Sequence, residues 1–343
     1  MKNKIISIGV APAWDKTIEL AGIDWNEHKT VSAQTITPAG KALNINKALS
    51  WMGVESTAAG LWGSDDFEEM KNYCRVGFSP RGNSAKINIK LTKVPGRTRE
   101  NITVVDTVNK RQLHLRNKSD LANAKSMKML KGDLQKILKK NSLAVFAGAM
   151  PNEAVELIEL AKKKAGAVIV DSSGPTFKKI VSNGGLFLIK PNVEELGELL
   201  GRKIKNEEKE IIAASKKLLT KVKMILVSRG EEGAMLISNE FVISAKYTGK
   251  KQDVCNTVAC GDYLLAGFLG VIANIPLSFQ STSSRVIARS PNEIWTTKQS
   301  QPTEQLFASA LSSAIKSATA KAFGLNEKLS WKQTQRKIKV NLF

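Results

Sequence analysis

The chain has 343 residues, enough to bury a full hydrophobic core, and its hydrophobic share of 42% and charged share of 24% are those of a soluble globular protein. Its formal net charge of +21 predicts attraction to anions in general, but neither zinc-finger spacing nor an aromatic-rich basic stripe is present, so no nucleic-acid partner is expected. The apolar run 264–275 is too short for a membrane span and contains Asn274, so no membrane partner is expected.

The three cysteines, Cys74, Cys255 and Cys260, and the two histidines, His28 and His114, form neither a disulfide framework nor a zinc-site spacing. Reduced thiols in the cytoplasm are expected. Cys260 remains open as a nucleophile, because a thiol at a helix start can have a lowered pKa.

In chain order, the apolar run at 5–8 reads as a first core strand rather than a signal peptide, since Trp14-Asp15-Lys16 soon interrupts it. The turn at 11–15 leaves Asp15 beyond the carboxyl end of that strand, where ligands of open α/β sheets collect. Short exposed strands are predicted over 17–37. Pro38-Ala39-Gly40-Lys41-Ala42-Leu43-Asn44 then opens a helix through Trp51 that stops at Gly53. A small-residue loop carrying one lysine suits a phosphate-bearing ligand, although the P-loop spacing is absent. A strand over 54–61 and a helix over 65–74 follow, and then a polar loop over 77–83.

Alternating stretches at 85–91, 100–105 and 111–115 predict a small, half-exposed sheet, with Arg99 and Asn101 at the start of the middle one. From residue 121 the pattern changes to strand–helix repetition. Helices are predicted over 124–139, 153–164, 193–200 and 207–219, and strands over 143–147, 167–171, 186–190, 224–228, 234–238 and 240–245. Such alternation implies a doubly wound, mainly parallel sheet with helices on both faces.

The polar turn 256–262 runs into an apolar helix. Backbone N–H groups at a helix start lack intrahelical partners, and the helix dipole adds partial positive charge there. Asp262 in the first turn is placed to take a proton from a hydroxyl attacking a phosphoryl group held on those amides, or simply to cap the helix. A polar stretch over 276–303 predicts a loop insertion, which would alternatively alter nucleotide access. The basic tail 328–343 reads equally as a final helix or a frayed end.

Several local patterns together resemble the ribokinase-like carbohydrate kinases of the PfkB family, on its 1-phosphofructokinase and tagatose-6-phosphate kinase branch. They are Pro12-Ala13-Trp14-Asp15, Ala39-Gly40-Lys41-Ala42-Leu43-Asn44, Thr98-Arg99-Glu100-Asn101, Lys190-Pro191-Asn192-Val193-Glu194-Glu195, Val227-Ser228-Arg229-Gly230-Glu231-Glu232-Gly233 and Asn256 to Asp262. The resemblance implies one α/β domain over 1–343, with a β lid drawn from about 12–37 and 85–116, through which a homodimer is expected. It implies an ATP- and Mg²⁺-dependent kinase acting on a sugar phosphate of the fructose 1-phosphate or tagatose 6-phosphate type.

The resemblance also assigns roles. Asp262 would be the general base, with the amides of Ala259, Cys260 and Gly261 as the anion hole. Asp15, Gly40, Asn44 and Asn101 would hold the sugar, and Lys41 and Arg99 its phosphate. Lys190, Asn192, Ser228, Gly230 and Gly233 would line the nucleotide, with Glu195 and Asn192 holding Mg²⁺ mainly through water.

The chain departs from the family pattern where Ala259 and Ala42 replace glycines. A Cβ there is costly if the position needs positive φ or close contact with a phosphate. Ala147 and Ala149 likewise remove hydroxyls near the cleft. These departures raise a second reading, a catalytically impaired relative acting as a ligand- or polyanion-binding regulatory protein.

Overall fold

The computed structural model describes residues 2–76, 85–250, 254–255, 257–275 and 301–343. The polar loop expected at 77–83, Asn256, and residues 276–300 of the expected insertion lie outside the described residues.

The chain runs β1 (Lys4–Gly9), β2 (Ala13–Leu20), β3 (Ala33–Ala39), α1 (Lys41–Trp51), β4 (Ser56–Gly63), α2 (Phe67–Val76), β5 (Ile87–Val94), β6 (Glu100–Asp106) and β7 (Arg111–Arg116). It continues with α3 (Ala124–Ile137), β8 (Ser142–Ala147), α4 (Ala154–Lys164), β9 (Ala167–Asp171), α5 (Gly174–Ser182), β10 (Leu186–Ile189), α6 (Val193–Leu200), α7 (Glu208–Lys216) and β11 (Val222–Ser228). The last elements are β12 (Ala234–Ile237), β13 (Val242–Tyr247), α8 (Cys260–Ile272), α9 (Gln301–Ala322), α10 (Leu325–Lys328), α11 (Trp331–Lys337) and β14 (Val340–Leu342).

A ten-stranded sheet has the order β14-β13-β12-β11-β10-β9-β8-β1-β4-β5. It is parallel from β11 to β5 and antiparallel from β11 to β14. Helices cover both faces, so the inner strands are apolar throughout. In β8, Leu143 and Val145 join the core with α1, α8 and α9, whereas Ala144 and Phe146 join that of α3 to α7.

A second sheet, β3-β2-β6-β7, stands apart as the lid. The stretch expected at 85–91 to belong to it forms β5 instead, pairing parallel with β4 at the edge of the large sheet. An edge strand alternates in burial just as a lid strand does, so the period could not tell the two sheets apart. The tail is ordered as α11 followed by β14, which pairs antiparallel with β13.

Candidate active site

The carboxyl ends of β1, β9, β10 and β11 and the starts of α1 and α8 converge beneath the lid. At the start of α8, Ala259 holds φ 65° and ψ 4° as the residue before the helix. This left-handed turn is what swings the chain into α8, and the amides of Asp262 and Tyr263 both bond back to the Ala259 carbonyl at 3.0 Å. The Cys260 amide turns to the Thr257 carbonyl at 3.3 Å.

Asp262 is 4% exposed, yet its neighbours are polar. Its Oδ2 accepts a hydrogen bond from Asn44 Nδ2 of α1 at 2.9 Å. Burial, followed by the nearby charge of Asp171, pushes its carboxyl up to about 7, against the opposing pull of Lys41, Asn44 and Lys190. A carboxylate titrating there is poised as a general base at neutral pH. The nucleophile role left open for Cys260 is not supported. Burial pushes the thiol up to about 11, so the helix start does not generate a thiolate nucleophile.

Asp171, at the end of β9, is the residue that sequence reasoning missed. Its side chain is 0% exposed and pairs with two lysines, Lys41 Nζ at 3.0 Å from Oδ1 and Lys190 Nζ at 3.4 Å from Oδ2. Burial works against the Lys41 charge, but Asp171, Asp262 and Glu195 together hold its pKa above the ordinary lysine value. Lys190 Nζ also lies 3.3 Å from where a Cβ on Gly261 would stand, which brings that ammonium close to the backbone beside Asp262. The one available signal was a lone Asp ending an apolar strand at the ligand-binding edge of the sheet.

On the lid side, Asp15 and Asn101 are register partners on β2 and β6, and Asn101 Nδ2 donates to Asp15 Oδ1 at 2.9 Å. Asn101 thus orients Asp15. Arg99 donates to the carbonyls of Pro12 at 3.2 Å, Ala11 at 3.3 Å and Asn117 at 2.6 Å. These bonds engage part of a fork that carries five donors. Gly40, at φ 111°, precedes α1 and lies so close to Pro12 that a Cβ would stand 3.3 Å from the Pro12 Cα. Ala42 is accommodated without strain, because its methyl occupies the space that a side chain at Gly9 would otherwise need.

Beyond the end of β10, Asn192 and Glu195 form a capping box at the start of α6. Glu195 N donates to Asn192 Oδ1 at 2.7 Å, and Asn192 N to Glu195 Oε2 at 2.9 Å. Ser228 ends β11, bridges to Asn192 and donates its amide to the Pro191 carbonyl at 3.0 Å. Gly230 and Gly233 flank the following turn, at φ 62° and 86°. Gly233 has a structural requirement of its own, since a Cβ there would stand 2.0 Å from the Ala245 carbonyl oxygen of β13.

A doubly wound sheet with a small β lid beside the carboxyl ends of its strands is the ribokinase-like architecture. Escherichia coli phosphofructokinase-2, solved with fructose-6-phosphate, superposes with a TM-score of 0.77 over 98% of each chain at 18% identity, a likeness of fold. The profile described as pfkB family carbohydrate kinase matches residues 7–287, and the chain belongs to that family. Among its relatives, the tagatose-6-phosphate kinase of Staphylococcus epidermidis is 28% identical over 270 residues, covering 77% of this chain and 83% of the relative. The 1-phosphofructokinase of Bacillus subtilis is 27% identical over 290 residues, covering 80% and 87%.

Proposed function

We propose that the protein transfers the γ-phosphoryl group of ATP to a hydroxyl of a sugar phosphate, of the fructose 1-phosphate or tagatose 6-phosphate type. The observation that carries this reading is the Asp262 carboxylate, raised toward neutrality at the start of α8 and oriented by Asn44, with Lys41 and Lys190 held beside it by Asp171. Names of the relatives, tagatose-6-phosphate kinase and 1-phosphofructokinase, support the acceptor class.

In this reading Asp262 accepts the proton of the acceptor hydroxyl as its oxygen attacks the γ-phosphorus. The amides of Ala259 and Gly261 face the charge developing on the transferred group, whereas the Cys260 amide, expected to join them, is taken by the Thr257 carbonyl. Lys190 offsets that charge from the side of the ATP phosphates. Asp15, oriented by Asn101, and Asn44 hold sugar hydroxyls, while Arg99 and Lys41 hold the phosphate already on the sugar. Ser228, Gly230 and Gly233 border the nucleotide.

The residues fit a hydrated Mg²⁺. Among the described residues no cluster of three or more His, Cys, Asp or Glu side chains forms a metal cage, and the capping box engages only one Glu195 carboxylate oxygen. Glu195 and Asn192 would hold the ion mainly through water, as Mg²⁺ retains its hydration shell. When bound, it would neutralise charge on the nucleotide phosphates.

The lid also supports pairing with a second copy. Its outer strand β7 is exposed along its whole length and presents Leu113 and Leu115. Light scattering would report such a dimer. Three scattered cysteines, Cys74, Cys255 and Cys260, suit a cytoplasmic setting.

The kinase reading is tested by ADP formation from ATP·Mg²⁺ with a panel of fructose and tagatose phosphates. Turnover is expected with at least one of them and is expected to be lost in Asp262→Asn. Turnover left intact in that variant rejects the catalytic assignment.

A further inference from the structure

Two strands leave the large sheet for the lid, and one buried carboxylate holds both crossings. Asp66, in the turn between β4 and α2, is 2% exposed. Its Oδ2 accepts a hydrogen bond from Trp14 Nε1, and its Oδ1 accepts one from the Thr98 amide at 3.0 Å. Trp14 immediately precedes Asp15 on β2, and Thr98 immediately precedes Arg99 at the entry to β6. The two crossings are also joined directly, because the Trp14 amide donates to the Arg99 carbonyl at 2.8 Å.

The surroundings leave little room for movement. Trp14 packs edge-on against Trp62 at 5.5 Å between ring centroids, and Trp14, Trp62 and Thr98 are all buried. Thr98 Oγ1 accepts from the Gly63 amide at 3.0 Å. A Cβ on Gly63 would stand 2.4 Å from the Gly96 carbonyl oxygen and 2.7 Å from the Thr98 nitrogen, so the strand entering the lid passes directly over the end of β4. A buried carboxylate oxygen deprived of its donor is left unsatisfied, so both bonds constrain the backbone strongly.

We propose that Asp66 is a positioning residue for the acceptor end of the site, fixing Asp15 through Trp14 and Arg99 through Thr98. Asp66 touches no substrate. Its carboxylate sets the spacing between the side chain that holds a sugar hydroxyl and the one that grips the sugar's phosphate. This inference rests on the sugar-phosphate kinase reading. A shift in that spacing weakens sugar-phosphate binding and leaves the ATP side, built on β10, β11 and α6, unaffected.

Trp14→Phe removes the indole donor and keeps an aromatic ring against Trp62, and Asp66→Asn removes the charge and keeps the shape. For both, KM for the sugar phosphate is expected to rise about 10-fold with KM for ATP unchanged. The double variant is expected to be little worse than either single one, because both changes break the same contact. Thermal unfolding of each variant is measured alongside, and Trp14→Phe, the milder change, carries the test if Asp66→Asn does not fold. A lowered melting temperature with both KM values unchanged, or a parallel loss in both KM values, overturns the proposal. Wild-type turnover in the same assay separates the two failures, since its absence with every sugar phosphate removes the kinase reading and this inference with it.

Discussion

Asn44 Nδ2 and Asp262 Oδ2 stand 2.9 Å apart although 218 residues separate them in the chain. Each sits at the start of its helix, so the contact locks the N-terminus of α1 to that of α8. It also favours the ionised form of a carboxyl that burial and Asp171 push up to about 7.

That balance sets the pH dependence. Below about 7 Asp262, the proposed base, is protonated and idle, and above it the carboxylate is available, so kcat is expected to rise with pH through this region. Asn44→Ala removes a hydrogen bond to the charged form, and the acidic limb of the kcat profile should move to higher pH. Asp262→Asn removes the base and should lower kcat by roughly 10²–10⁴-fold. A pH–rate series on the three proteins checks both.

Asp171→Asn should move the same limb the other way. Loss of that negative charge lets Asp262 ionise at lower pH, while Lys41 and Lys190 lose their shared partner. Removing one member of a buried ion pair also destabilises by about 3–5 kcal/mol. Opposite displacements of the limb in Asp171→Asn and Asn44→Ala, read from kcat profiles, would establish the charge coupling. Equal displacements would refute it.

Ala259 occupies a left-handed conformation at φ 65°, where a Cβ costs roughly 1–2 kcal/mol. Ala259→Gly is therefore expected to raise stability by about 1 kcal/mol, after the larger backbone entropy of glycine in the unfolded chain offsets part of the gain. Urea unfolding reads this directly. No comparable gain is expected from Ala42→Gly, because the Ala42 methyl fills the space beside Gly9.

Within the lid, the Asp106 carboxylate accepts from the amides of Gly22, Ile23, Val108 and Asn109, from Asn109 Nδ2 and from Arg111 Nε. These donors, with the Asn109 side chain foremost, hold its pKa well below the usual carboxylate range. Its contribution is therefore fully present above the unfolded-state value and is lost as pH falls through the lowered folded-state one. Asp106→Asn should lower the melting temperature at pH 7, with the gap to wild type narrowing in acid. An unchanged gap would show that the charge is immaterial to the lid.

The doubly wound sheet and the small-residue turns that lead into α1 and α8 could be read from local order, because small residues before an apolar helix and apolar runs of strand length carry their meaning within a few neighbours, whereas Asp15, expected in a turn, lies within β2. The helix predicted at 193–200 appears with those bounds as α6. Asp171 was invisible as a site residue, since its two lysine partners come from α1 and β10. The role of Glu195 as a cap for α6 was likewise obscured by its place in a ligand-binding motif.

By itself the amino-acid sequence determined the class of fold, the family and the residues with chemistry to offer, because backbone preference and burial period are local properties. Tertiary structure alone decided which of them meet. It placed β5 in the large sheet rather than the lid, put Asp171 between two lysines and set Asp66 beneath the lid crossings. A repeating pattern records which face of a strand is buried but not which strand lies beside it, and charge coupling depends on distances that only the packed chain creates.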